Sequence, residues 1–163
     1  MSEGSANPLV DRVLTPVLSY RPVSWFYVHA APHLDRGVMR LSGGRLTMSG
    51  RRQVGFLHVK GAKSGLARVT PLMYTRDGDR LLLIASRGGD SKHPAWYRNL
   101  VANPDVRFTI GGDEHAYRAR ELQGEERDRA WKLAVHRYRG YAVYQRRAGG
   151  RRIPVMLLEP GDG

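Results

Sequence analysis

From Gln53 onward, apolar and polar residues alternate with the period of two that marks half-buried strands, and two runs shift to a helical period. The alternation and its punctuation predict strands over 53–60, 67–75 and 79–86, separated by a turn at 61–66 and an Asp77-Gly78 hairpin. A helix is expected over 94–102, with Pro94 suited to its first turn. Strands over 105–110 and 114–122 follow, then a helix over 125–138, a loop, and a last strand over 152–159. The unbroken apolar run 81–85 reads as a buried strand. In the second helix Ala130, Trp131, Leu133, Ala134 and Val135 sit beside many charges, so one face can cover an open side of the sheet. The pattern is mainly β with an α+β character: a small, partly open barrel with two covering helices.

Upstream the pattern is different. Residues 1–8 read as a tail, 9–41 as a helical arm cut short by Pro16, Pro22 and Pro32, and 42–52 as a turn-rich connector. The expected division is therefore 1–52, arm and connector, and 53–163, barrel domain. Within the arm, Leu14, Val17, Leu18, Trp25, Phe26, Tyr27, Val28 and Leu34 lie among Arg12, Arg21, Arg36 and Arg40. That mixture suits an anionic membrane surface, and equally an arm packed on the domain or on a second subunit. No basic stretch leads into the apolar core of a secretory leader, and no run approaches the roughly twenty apolar residues of a spanning helix. The expected location is cytoplasmic, with peripheral contact at the inner face of the membrane left open.

Composition narrows the chemistry. At 163 residues, with 41% hydrophobic and 26% charged content, the chain can build one soluble domain with a sizeable core. It has no cysteine, which excludes disulfides, thiol nucleophiles and thiolate metal sites, so redox chemistry must come from a bound cofactor. Lys and Arg number 27 against 15 Asp and Glu, a formal charge of +12 that favours an anionic partner. A nucleic acid is not expected, because the strands carry aliphatic residues rather than aromatics interleaved with exposed cations. Histidines 29, 33, 58, 93, 115 and 136 lack metal-ligand spacing, so no metal is expected, and no G-x-S-x-G elbow is present.

Three segments carry candidate chemistry. The first turn, Lys60-Gly61-Ala62-Lys63-Ser64-Gly65-Leu66-Ala67-Arg68, concentrates cations, glycines and a hydroxyl. Its amides, with Lys63, Ser64 and Arg68, could cradle an anion; alternatively it is a solvated connection. The second segment runs from Ala85-Ser86-Arg87-Gly88-Gly89 through His93-Pro94-Ala95-Trp96-Tyr97-Arg98-Asn99. Here a flat ring could pack on Trp96 while Ser86 and nearby amides bond its edge; alternatively this is a strand–turn–helix joint with Trp96 in the core. The third is Tyr138, Tyr141 and Tyr144, whose spacing places the rings along one side of a helical turn, either walling a cavity or forming a core or interface stripe. A phenol is a poor base near neutrality, so Tyr141 would serve as a donor or a wall.

Taken together, Gly61-Ala62-Lys63-Ser64-Gly65-Leu66-Ala67-Arg68-Val69-Thr70-Pro71-Leu72, the 85–100 segment, Ala102-Asn103-Pro104 and Arg152-Ile153-Pro154-Val155 resemble the deazaflavin-dependent nitroreductase family over about residues 37–160. The resemblance implies a split β-barrel, FMN-binding-like, that binds coenzyme F420, an 8-hydroxy-5-deazaflavin with a phosphate and glutamates in its tail. It implies hydride transfer from the reduced deazaflavin to a small electron-poor acceptor, a quinone or a nitro compound. The alternative is a non-catalytic carrier of deazaflavin, flavin or haem. By the same resemblance, Lys63, Ser64 and Arg68 meet the tail, and Val69, Thr70, Pro71, Leu72 and Met73 continue from Arg68 along the cofactor. Ile84, Ala85, Ser86 and Arg87 would contact the ring, and Ala95, Trp96, Tyr97, Arg98 and Asn99 would form the opposite wall. Ser86 and Tyr141 would act on the acceptor, Tyr141 closing the pocket. Ala62 stands where the family usually has a basic residue, leaving either a weaker tail site or one that recruits Lys60. Met73 stands where an aromatic is often found, which reshapes the substrate side. A homodimer is compatible with such a barrel.

Overall fold

The computed structural model describes residues 53–161; the arm, the connector and the domain division expected upstream lie outside the described residues. The strands are β1 (Val54–Lys60), β2 (Ala67–Asp77), β3 (Arg80–Ile84), β4 (Asp105–Ile110), β5 (Asp113–Glu121) and β6 (Val155–Pro160). The helices are α1 (Ala95–Ala102), α2 (Gly124–Arg137) and α3 (Gly140–Arg147). The strands form one antiparallel sheet in the order β1-β2-β3-β6-β5-β4. It closes where β1 pairs with β4, through Phe56↔Thr109, Leu57↔Phe108 and His58↔Arg107. The barrel is therefore closed rather than partly open: each strand has a neighbour on both sides, although β2 pairs with β3 only over Tyr74–Asp77 and with β1 over Ala67–Met73.

Period-two alternation sorts the side chains into two apolar cores. Leu57, Val59, Tyr74, Leu81, Leu83, Val106, Phe108, Tyr117, Ala119, Met156 and Leu158 form one cluster with Leu100 of α1. The other faces of β3 and β6 contribute Leu82, Ile84, Val155 and Leu157 to a second cluster with Ala130 and Ala134 of α2 and Tyr141 and Tyr144 of α3. With both faces covered, β3 has no solvent side, which is why its sequence shows a run of apolar residues instead of an alternation.

A third helix, α3, occupies part of the stretch expected to be loop. Apart from the three-residue spacing of its tyrosines, its eight residues are too short and too polar to extend a helical period, and it is held by packing those tyrosines under the barrel wall. The helix α2 carries Glu125 and Glu126 in its first turn and His136 and Arg137 in its last, matching the helix dipole. Buried Arg127 donates to the Ile153 carbonyl at 3.1 Å and lies 5.0 Å from the Trp131 ring centre, fastening α2 to the segment before β6.

Phe108 is fully buried and meets the Tyr74 ring edge-on at 5.6 Å. Truncation in so dense a core leaves a cavity. Phe108→Ala is expected to lower the unfolding free energy by about 3–5 kcal/mol, read as a lower urea midpoint with an unchanged slope.

Candidate functional site

The β1–β2 turn is braced from within and from α1. Gly61 N–H donates to Leu66 O and Gly65 N–H to Gly61 O, both at 2.8 Å. Ser64 Oγ accepts from Leu66 N–H at 3.4 Å and lies so close to Gly61 that a Cβ there would collide with it. From α1, Asn99 Oδ1 accepts from Ala62 N–H at 3.0 Å; just beyond the helix, Asn103 Nδ2 donates to Lys60 O at 3.2 Å. Among the described residues, Lys60, Lys63, Arg68 and Arg98 make no ion pair and are exposed. Arg107 is neutralised by Glu114, Arg118 by Asp105 and Arg120 by Glu126 and Glu159, whereas the outer-helix cations Arg129, Lys132, Arg137, Arg146 and Arg147 are also exposed without an ion pair among the described residues. A fixed turn carrying unneutralised charge is a ready site for a polyanion.

Beyond this turn β2 divides its residues between environments. Val69 is exposed, Thr70 and Pro71 are half-buried, Leu72 packs against the barrel core, and Met73 packs against the outer cluster that contains Tyr141.

The loop after β3 is unusual in its backbone. Ser86 is buried, and Arg87, Gly88 and Gly89 follow with φ of 49°, 66° and 87°. Arg87 is the only non-glycine residue with positive φ among the described residues, a conformation that its surroundings must hold in place. At Gly89 a Cβ would lie 2.8 Å from Tyr144 O and 2.7 Å from Arg147 Cβ, so the loop backbone rests directly on α3. Arg151 grips the same loop. Its Nη2 donates to Ser86 O at 3.0 Å and to Asp90 O at 2.7 Å, its Nε to Asp90 O at 3.0 Å, and its Nη1 to Ala85 O at 3.2 Å. Nη1 also lies 3.3 Å from His93 Nδ1. Sequence reading did not single out Arg151: it sits in a Gly-Gly-Arg-Arg loop, and only tertiary convergence reveals its partners.

Along α1, Ala95 and Arg98 face solvent, while Trp96 and Tyr97 are half-buried and pack against the barrel core. Trp96 thus has the core contacts weighed as the alternative to ring stacking. Tyr97 Oη donates to Glu121 Oε2 at 2.7 Å, and His93 lies over the Tyr97 ring at 4.8 Å. Burial, reinforced by the Glu121 carboxylate, pushes the Tyr97 phenol up to about 12. Burial and then the Arg151 charge hold His93 below its ordinary value. The adjacent Asp90 carboxyl is held low, chiefly by the Lys92 N–H that donates to it at 2.9 Å.

Tyr138, Tyr141 and Tyr144 are all buried in the outer core. Their rings meet edge-on, with centroids 5.1 Å apart for Tyr138–Tyr141 and 6.4 Å for Tyr141–Tyr144, and Tyr138 and Tyr144 hydroxyls are 2.9 Å apart. The structure therefore brings Ile84, Met73 and Tyr141 into one cluster and ties the Ser86 loop to the helix that carries Tyr141. It places Leu72 and Trp96 against the other core. Among the described residues no group of three or more His, Asp or Glu side chains could hold a metal, and no helix is long and apolar enough to cross a membrane.

The Tyr97 shift gives a signed expectation. A phenol raised above its unfolded value of about 10 stabilises the fold fully below pH 10, and that contribution fades as pH climbs toward about 12. The denaturation midpoint of Tyr97→Phe should consequently fall less steeply than that of the parent protein between these pH values, as measured by urea titrations at each pH.

The likenesses to known proteins follow the same geometry. Residues 34–160 match the family described as F420H(2)-dependent quinone reductase. An F420H(2)-dependent quinone reductase of Mycobacterium tuberculosis is 37% identical over 145 residues, covering 82% of this chain and 95% of that protein. Among solved structures, an F420-H2 dependent reductase is 45% identical, covering 66% of this chain and 95% of its own, with a TM-score of 0.61. A chain solved as a domain-swapped dimer is 39% identical, covering 85% of this chain and 99% of its own, with a TM-score of 0.62. The fold is a split barrel of the FMN-binding-like kind. With the match running from before the barrel to its last strand, this chain belongs to the F420H(2)-dependent quinone reductase family.

Proposed function

We propose that this protein binds reduced coenzyme F420 and catalyses transfer of its hydride to a quinone or another small electron-poor acceptor, nitro compounds included. The observation that carries this reading is the β1–β2 turn, whose cations Lys60, Lys63 and Arg68 have no carboxylate partner among the described residues and whose backbone Asn99 and Asn103 hold in place. A phosphate followed by glutamates is the complement of such a turn. Lys60 supplies the charge that Ala62 does not. At the other end of α1, the positive-φ backbone after Ser86 suits the edge of a flat heterocycle, because polar main chain can approach it with little side chain between.

Bound there, the reduced deazaflavin supplies the hydride from its C5. The chain's own work is to bind, orient and protonate. Lys63, Ser64 and Arg68 hold the tail, and the β2 residues from Val69 to Met73 run along the cofactor. Ile84, Ala85, Ser86 and Arg87 meet the ring, with Ala95, Trp96, Tyr97, Arg98 and Asn99 opposite. The Ser86 and Tyr141 hydroxyls donate to the acceptor oxygen on which negative charge develops. One hydride and one proton turn a quinone into its hydroquinone, and the proton comes from a tyrosine hydroxyl or water. No strong base is needed, in keeping with a site built from phenols, a serine and main-chain amides. A relative solved as a domain-swapped dimer supports a homodimer for this chain as well. The same reading includes a cytoplasmic protein, with its arm either at the membrane surface or packed on the barrel or a second subunit.

Titration with oxidised F420 and, separately, with flavin mononucleotide tests the binding half; anaerobic addition of menadione to the reduced complex tests turnover. Tight F420 binding with quinone-dependent reoxidation above the protein-free rate is expected. Binding without turnover would leave a carrier, and absence of binding would sink the proposal. Replacing Lys63 and Arg68 together with Ala should weaken F420 by about 10- to 100-fold, a loss of two charge-assisted contacts, with flavin mononucleotide little changed.

A further inference from the structure

Several arginines of this barrel meet carboxylates, Arg107, Arg118 and Arg120 among them, but Arg151 spends its guanidinium on main-chain carbonyls. Those of Ala85, Ser86 and Asp90 converge on it from one side. Its own backbone is anchored: Gln145 of α3 donates to Arg151 O at 2.7 Å while accepting from Ile153 N–H at 2.9 Å. The fork is thus held by one element and the loop by the fork.

The geometry of the peptide unit gives this a direction. In a planar trans peptide the C=O and the following N–H point opposite ways. Ser86 O is drawn toward Arg151 and also accepts from Gly89 N–H at 3.0 Å, so the Arg87 N–H points away from the guanidinium. Ser86 itself is right-handed, with φ −72° and ψ −39°, and Arg87 is left-handed, with φ 49°. Successive residues of opposite hand turn their amides toward one concave side, the arrangement that receives electronegative atoms; Ser86 N–H is already donated to Ile84 O at 2.8 Å, so Arg87 N–H is the amide left to offer. A left-handed Arg87 is disfavoured in isolation; it is held by its own contacts to His93 O at 3.4 Å and the Asp90 carboxylate at 3.4 Å, by Asp90 N–H donating to its carbonyl at 3.2 Å, and by the Arg151 grip on the carbonyls to either side.

We propose that Arg151 is a positioning residue for the cofactor: by fixing the carbonyls of Ala85, Ser86 and Asp90, it presents the Arg87 N–H to the polar edge of the deazaflavin ring. This rests on the reading of residues 84–87 as the ring contact. Lysine cannot replace it, since a single ammonium cannot span three carbonyls with a planar fork. The side chain acts through the loop and touches no reacting atom.

The test compares Arg151→Met, Arg151→Lys and Arg151→Ala with Arg120→Met, which removes a surface ion-pair network remote from the loop. Four readouts apply: thermal midpoint, amide hydrogen exchange of residues 86–91 in the protein without cofactor, F420 affinity by titration, and kcat with KM for menadione. All three Arg151 variants are expected to exchange faster over 86–91 and to bind F420 about 10- to 100-fold more weakly, with Lys giving no rescue. At saturating F420 the KM for menadione should stay near the parent value. Millimolar guanidinium ion, but not methylammonium, should tighten F420 binding to Arg151→Ala. Arg120→Met should lower the thermal midpoint without changing F420 affinity or loop exchange. Parent-like F420 affinity in Arg151→Lys or Arg151→Met, or an equal affinity loss in Arg120→Met, would overturn the proposal. Failure of the unaltered protein to bind F420 would instead overturn the functional reading, and with it the cofactor role of Arg151. Unchanged exchange over 86–91 would remove the loop-holding role by itself.

Discussion

The pairing of β1 with β4 is the constraint from which the rest of the molecule follows. It converts a curled sheet into a closed one, and it also sets the distance that α1 must bridge. The end of β1 leads into the basic turn, while Asn103 and Pro104 lead into β4. With His58 opposite Arg107, Lys60 and Asn103 are brought to the same rim, and the Asn103–Lys60 hydrogen bond is a result of that register. Asn99, one helical turn back, then reaches Ala62. A turn whose loop length alone would leave it free becomes a fixed feature because its two ends and the helix beside it share one ladder.

Closure also produces two cores, and the proposed site draws on both. Leu72, Trp96 and Leu100 belong to the barrel interior; Met73, Ile84 and Tyr141 belong to the layer between β3, β6 and the outer helices. Adjacent residues of β2 and adjacent turns of chain after β3 thus answer to different packing requirements. That arrangement leaves Met73 packed in the outer layer while its neighbour Leu72 packs against the barrel interior.

Much of this was legible in the residues themselves. Period-two alternation located every strand, because each has a side facing one of two continuous cores, and the apolar run in β3 correctly read as buried. The helix containing Trp96 and the basic turn were also legible, since glycines, a proline and charge mark them locally. Closure was not, because the β1–β4 ladder joins segments about fifty residues apart and leaves no local trace. The helix α3 escaped for a different reason: its eight residues are mostly polar or aromatic, and its existence depends on the surface against which Tyr141 and Tyr144 pack. Arg151 was illegible in principle. Its partners are backbone carbonyls some sixty residues away, and a carbonyl has no letter in the sequence.

The contact between Gly89 and the backbone of Tyr144 has one more consequence. Because no side chain stands between loop and helix, neither can shift without displacing the other, and there is no soft layer to absorb the motion. In the proposed enzyme, one partner of that contact belongs to the loop whose Ser86 and Arg87 would meet the cofactor, and the other to the helix that carries Tyr141. If the two ligands bind at those places they would be energetically linked: whatever an acceptor did to cofactor affinity by leaning on α3, the cofactor would do to acceptor affinity by the same factor. Acceptor size would thereby be read twice, once by the space it fills and once by how firmly the donor stays bound.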